Sequence, residues 1–217
     1  MGSVYSGDEI MFSPQSIMKI LSTKRALFHS EADFQHSFAW EIHHCFPNSK
    51  IRLELPWGSH DKQNHLDIFA VVEDENIAIE LKYKTRGLKV RVNNENYALK
   101  DQSAQDIGRY DYLKDIMRLE ELSSQNNNWI GIGILLTNDS SYWKVPISNN
   151  TVDADFRLHQ NRMIQGDLTW SKRASPGTVA SRESSIILRN SYLANWIDYS
   201  RPSLSTYGQF RYLVFQV

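Results

Sequence analysis

Three side chains stand out for type and spacing: Asp67 and, after twelve intervening residues, the outer members of Glu80-Leu81-Lys82. They lie in the stretch His65 to Thr85, where two apolar runs, Leu66 to Val72 and Ile77 to Tyr83, flank the polar tetrapeptide Glu73-Asp74-Glu75-Asn76. Apolar run, turn, apolar run is the signature of a β-hairpin. The period of a strand puts Ile77, Ile79, Leu81 and Tyr83 on one face and Ala78, Glu80, Lys82 and Lys84 on the other. Antiparallel pairing can then bring the Asp67 carboxylate within a few ångströms of Glu80.

Carboxylates placed together repel unless a cation lies between them, and hard oxygen donors of this kind suit Mg²⁺ or Mn²⁺. A lysine beside such an ion can hold or help deprotonate a metal-bound water, because the nearby cation lowers its pKa. That is a hydrolytic site in outline. The same residues also fit a plainer account: alternating Glu and Lys is more often a solvated sheet face, and Asp at a strand start is often a turn residue.

The order of the pieces favours the hydrolytic site. Asp67, a hairpin turn, then Glu80-Leu81-Lys82 on a strongly apolar strand resembles the signature of the PD-(D/E)xK phosphodiesterase superfamily, the restriction-endonuclease-like fold. Leu66 stands where the eponymous proline would be, and the resemblance covers about residues 25 to 137. It implies an α/β (α+β) fold with an αβββαβ core, in which helices sandwich a mixed central sheet. It also implies a metal-dependent nuclease. By resemblance, Asp67 and Glu80, assisted by the Leu81 carbonyl, would bind Mg²⁺ or Mn²⁺, and Lys82 would position or activate the attacking water. The family's acidic residue on the preceding helix corresponds to Glu31, with Glu41 as the alternative. The family's polar helix after the motif strand corresponds to the segment from Gln102, from which Gln105 or Arg109 would meet the scissile phosphate. Gln35, one turn from Glu31, would join them on the substrate side. The implied partner is nucleic acid, DNA in particular, with no membrane and with a homodimer left open. The rival is a noncatalytic module of the same fold that binds nucleic acid or a protein.

Elements that would position these groups can be read on either side. Ser13-Pro14 suits the cap and first turn of a helix reaching towards Leu27. Ser30-Glu31-Ala32-Asp33 resembles a capping box ahead of a second helix, along which Phe34, Phe38, Ile42 and Cys45 form a stripe. Ile51 to Trp57 alternates as a strand, and Gly58 to Asn64 is expected to turn into the Asp67 strand. Leu88 to Val92 and Tyr97 to Leu99 form a smaller hairpin. A helix over Asp101 to Leu122 carries the stripe Ala104, Ile107, Leu113, Ile116 and Leu119. Trp129 to Thr137 is apolar on both faces, as a central strand between helix layers would be. Further strands are expected at Ser185 to Leu188 and Phe210 to Val217, among aromatics that suit either base stacking or a core.

At 217 residues, 41% hydrophobic and 23% charged, the chain fits a single domain with a core at about 25–137 and a C-terminal elaboration at about 138–217. Residues 1 to 12 read as a polar, loosely held start. No apolar stretch approaches the ~20 residues that span a bilayer, and the expected location is the cytoplasm. The one cysteine, Cys45, fits a reducing compartment. Net charge is −1, yet residues 156–217 carry eight Lys or Arg against three acids, a net of +5 that leaves −6 for the rest. Lys82, Lys84, Arg86, Lys89 and Arg91 form a cationic stripe suited either to a phosphate backbone or to solvent. The seven histidines match no zinc spacing.

Overall fold

A computed structural model of the chain describes residues 12–57, 64–125, 128–148 and 150–217. The expected start at residues 1–11 and nearly all of the turn before Asp67, residues 58–63, lie outside these. Helix α1 (Pro14–Lys24) begins with Ser13 accepting the Ser16 amide and Pro14 in the first turn. In α2 (Glu31–Cys45) the Ser30 hydroxyl accepts the Asp33 amide, satisfying a donor that helical bonding leaves free. Both caps are those the sequence announces.

Three strands follow: β1 (Lys50–Trp57), β2 (Asn64–Val72) and β3 (Glu75–Lys84). Val72 pairs with Glu75, so the turn is only Glu73-Asp74, both with positive φ (50° and 69°), as a tight primed hairpin turn requires. The small hairpin is β4 (Leu88–Val92) with β5 (Glu95–Leu99), turning on Asn93-Asn94 in the same way. Helix α3 (Gln105–Gln125) begins later than its apolar pattern suggests. Gln102 is engaged elsewhere: its backbone amide donates to the Thr85 carbonyl at 2.8 Å and its side-chain oxygen accepts the Thr85 amide at 2.8 Å.

Strand β6 (Trp129–Thr137) lies parallel to β3, with Glu80 opposite Gly133 and Lys82 opposite Leu135. Beyond it come β7 (Met163–Leu168), the short helix α4 (Pro176–Val179), β8 (Ile186–Leu193), β9 (Ile197–Ser200) and β10 (Phe210–Gln216). The central sheet runs β1-β2-β3-β6-β10-β9, antiparallel except where β3 meets β6. The fold is therefore α+β with a mixed central sheet, and residues 138–217 add two strands to that sheet.

The sheet buries a separate core on each face. One packs Ile79, Leu81, Ile134 and Tyr212 against Met18 of α1 and Phe34 and Phe38 of α2. The other packs Ala78, Leu135 and Phe215 against Leu113 and Ile116 of α3, with Phe156, Leu168 and Trp196 behind. Alternation along β6 makes this possible: even-numbered residues face α1 and α2, odd-numbered ones face α3. Two odd positions are Gly131 and Gly133. A Cβ on Gly131 would stand 2.9 Å from Leu119 Cβ, so glycine lets α3 lie close on the strand.

Candidate functional site: a carboxylate-lined cleft between β2 and β3

The β2–β3 ladder runs from the turn as far as Ile68 opposite Ile79, and the next step would set Asp67 opposite Glu80. There it stops. The β1–β2 pairing also skips a step: Leu53 faces Ile68 and Leu55 faces Leu66, while Glu54 between them has φ 52°. A non-glycine residue in that region costs about 1 kcal/mol, and such strain persists only where surroundings impose it. The Gln35 amide bridges β1 and β2 at this step, donating to Glu54 Oε1 at 2.7 Å and to the Asp67 carbonyl at 2.6 Å.

Side chains then replace the missing strand. Asp67 Oδ2 accepts the Leu81 amide at 2.6 Å, and Glu31 Oε2 accepts the Tyr83 amide at 2.7 Å. In an antiparallel ladder a residue's N–H and carbonyl point the same way, so the Leu81 carbonyl shares this cleft.

Glu80 and Lys82 project towards α3. Lys82 Nζ lies 2.7 Å from Asp115 Oδ2, and Arg118 Nη1 lies 3.0 Å from Asp115 Oδ1. Arg118 Nη2 is 3.4 Å from Glu80 Oε1, without the geometry of a hydrogen bond; that oxygen is buried and has no hydrogen-bond partner among the described residues. Burial, then the charges of Asp115 and Asp67, push the Glu80 carboxyl up to about 9. Asp67 is also raised, first by burial, although the Leu81 hydrogen bond and Lys82 pull the other way. Burial works to lower the Lys82 pKa, but Asp115, Asp67 and Glu31 outweigh it and hold the ammonium above its ordinary range. The lowering expected beside a bound cation concerns the metal-loaded site; with the carboxylates alone the shift runs upward. Held this way, the Lys82 ammonium pairs with Asp115 and offsets the surrounding carboxylates.

The donor set fits a divalent ion in charge and in kind. Four carboxyl groups (Glu31, Asp67, Glu80, Asp115) surround two cations (Lys82, Arg118), and beyond burial the charges of Asp115 and Asp67 add to the rise at Glu80. A hard cation between Asp67 and Glu80 would relieve that repulsion, with the Leu81 carbonyl as a third oxygen donor. Among the described residues no three His, Cys, Asp or Glu side chains form a ready-made cage, so the carbonyl and solvent would complete the shell.

The structure gathers Asp67, Glu80, Lys82, Glu31, Gln35 and Leu81, and it places Gln105 and Arg109 elsewhere. Gln105 Nε2 donates to Asp139 Oδ2 at 2.8 Å. Arg109, 2% exposed, pairs with Asp153 Oδ2 at 2.8 Å, donates to the Ser141 carbonyl and lies over the Tyr142 ring. The cause is geometric. Helix α3 runs back from the far end of β3, and a helix rises about 1.5 Å per residue against about 3.3 Å in a strand, so its early turns do not reach Glu80. Asp115 and Arg118, six and nine residues beyond Arg109, do; sequence reasoning missed both. Glu41, the alternative to Glu31, is bound by Lys24 at 2.7 and 2.8 Å.

The cationic stripe is partly neutralised, with Lys82 on Asp115 and Arg86 on Asp101 at 2.9 Å. Of the C-terminal aromatics, Tyr142, Trp143, Tyr192, Trp196 and Tyr199 are buried. No helix among the described residues is long and apolar enough to cross a membrane. Comparison with known protein families, curated proteins and solved structures finds no match to this chain.

Proposed function

We propose that this protein is a metal-dependent nuclease with a restriction-endonuclease-like αβββαβ core, hydrolysing phosphodiester bonds in DNA. The observation that carries the proposal is the break in the β2–β3 ladder, where Asp67 binds the Leu81 amide in place of a strand and faces the end of β3 that bears Glu80 and Lys82. Asp67, Glu80 and the Leu81 carbonyl would hold Mg²⁺ or Mn²⁺, and Glu31 would add negative charge to the surrounding shell. When bound, the ion supplies charge stabilisation and an acidified water. Lys82 donates hydrogen bonds that orient the nucleophile and balance the charge developing on phosphate. Gln35 fixes the backbone of Asp67. Asp115 holds Lys82 and Arg118 and is a positioning residue.

The test incubates supercoiled and linear DNA with Mn²⁺ or Mg²⁺ and purified protein. Cleavage is expected, with Asp67→Asn and Lys82→Ala each at least about a hundredfold slower. Equal cleavage by wild type and Lys82→Ala would overturn the assignment.

One observation favours the noncatalytic module: Lys82 and Arg118 already serve Asp115 and Glu80 as internal counter-ions. Calorimetry separates the two. Mn²⁺ uptake that disappears in Asp67→Asn belongs to the nuclease, whereas DNA binding without metal uptake belongs to the module.

A further inference from the structure

On the α3 side of the sheet, away from the cleft, Arg157, His159 and Arg162 line a hollow of about 440 Å³ together with Thr151, Ala154 and Asp155. Their charges are not balanced locally. Asp153 is shared between two guanidiniums, its Oδ2 with Arg109 at 2.8 Å and its Oδ1 with Arg157 at 3.1 Å. Arg162 donates only to the backbone carbonyls of Ala154 (2.6 Å) and Asp155 (3.1 Å) and has no ion-pair partner among the described residues. Asp155 spends Oδ2 on the amide and hydroxyl of Thr169, at 3.0 and 3.3 Å. Three guanidiniums against two carboxylates leave one positive charge before His159 is counted.

Two side-chain nitrogens in this group also lack partners. Arg157 Nε and His159 Nδ1 are buried and make no hydrogen bond among the described residues. A buried polar atom without a partner is destabilising, because the water it gave up is not replaced. Burial, followed by the charges of Arg162 and Arg157, holds the His159 imidazole below its ordinary range. Burial likewise lowers Arg162. An oxyanion in the hollow would answer both problems, accepting from the idle nitrogens and offsetting the crowded cations.

We propose that this hollow binds a phosphoryl group, held by Arg157, His159 and Arg162. Three donor side chains from different chain positions suit a tetrahedral anion with several free oxygens better than a flat carboxylate with two. The chemistry is shared by inorganic phosphate and by the terminal phosphate of a nucleic-acid strand. Neither depends on catalysis at the β2–β3 cleft.

Isothermal titration of the full chain, in EDTA and a phosphate-free buffer, uses inorganic phosphate as one probe. The others are oligothymidylates of one length with a 5′-phosphate or a 5′-hydroxyl. Saturable phosphate binding is expected, weakened about tenfold or more by Arg162→Gln and by His159→Leu. Because His159 Nδ1 has no partner to lose, the second variant keeps the test valid if the first fails to fold. Tighter binding of the 5′-phosphorylated oligomer assigns the site to a strand terminus; equal oligomer binding with phosphate uptake assigns it to the free anion. No phosphate binding by wild type, or unchanged affinity in both variants, overturns the proposal. Cleavage of DNA by a protein that takes up no phosphate would sink this inference alone, and phosphate binding beside an inert cleft would sink the nuclease alone.

Discussion

Glu80 meets Asp115, Asp67, Arg118 and Lys82 in a setting where burial decides which protonation state survives. In the unfolded chain the proton leaves near the ordinary 4.5, whereas the folded protein keeps it to about 9. Between those values the folded state holds more protons than the unfolded one, so this group makes stability fall as pH rises. Glu80→Gln removes the titration. Thermal melts in EDTA should find the variant close to wild type at pH 4.5 and more stable by at least ~2 °C at pH 9; a gap that does not widen with pH would contradict the buried, proton-holding carboxyl. Asp67, Glu80 and Lys82 were legible as a group because period-two alternation and a hairpin fix who faces whom, and Glu31 joined them only through the family resemblance. Asp115 and Arg118 were not. On the sequence they are one more acid and one more base on a charged helix, and only the docking of α3 turns them inward.

At the scale of elements, the hairpin that carries Asp67 and Glu80 turns on two residues that both adopt left-handed backbone. Asp74, at φ 69°, tolerates this less well than glycine. Asp74→Gly should raise the urea midpoint, by about 0.5–1 kcal/mol of stability, and leave metal-dependent cleavage unchanged. Every element from Ser13 to Thr137 could be traced in the sequence, since caps, turns and apolar periods are local. The start of α3 could not, because Gln102 is drawn away by Thr85, seventeen residues earlier. Arg109 was misplaced for a similar reason: its helical face was right, but its height along the strand depends on where the helix lands.

Across the whole molecule, residues 138–217 complete what the first part leaves open. Strand β10 supplies Leu213 and Phe215 to one core and Phe210 and Tyr212 to the other. Arg109 ties the two parts together through Asp153 and Ser141. Arg109→Leu leaves Asp153 with one guanidinium in place of two, and breaking such a buried pair costs about 3–5 kcal/mol. The midpoint of chemical unfolding should fall accordingly, with any loss of DNA cleavage following the folded fraction; a stable variant that cleaves poorly would return Arg109 to the substrate. Of the strands of this region β8 and β10 could be anticipated, but neither β7 and β9 nor any of the partners, because β9, β10 and the β7–β8 pair are fixed by contacts far apart in sequence.

The amide protons of Leu81 and Tyr83 hang on acid side chains, where a neighbouring strand would normally hold them. Their exchange with deuterium therefore becomes a local gauge of the cleft, read one residue apart from its backbone-paired neighbours. Asp67→Ala and Glu31→Ala should quicken these two amides while Ile77 and Ile79, paired to Ala70 and Ile68 of β2, keep their slow rates. Should all four respond together, the carboxylates would be ornaments on a closed sheet and the gap between β2 and β3 would have no independent life.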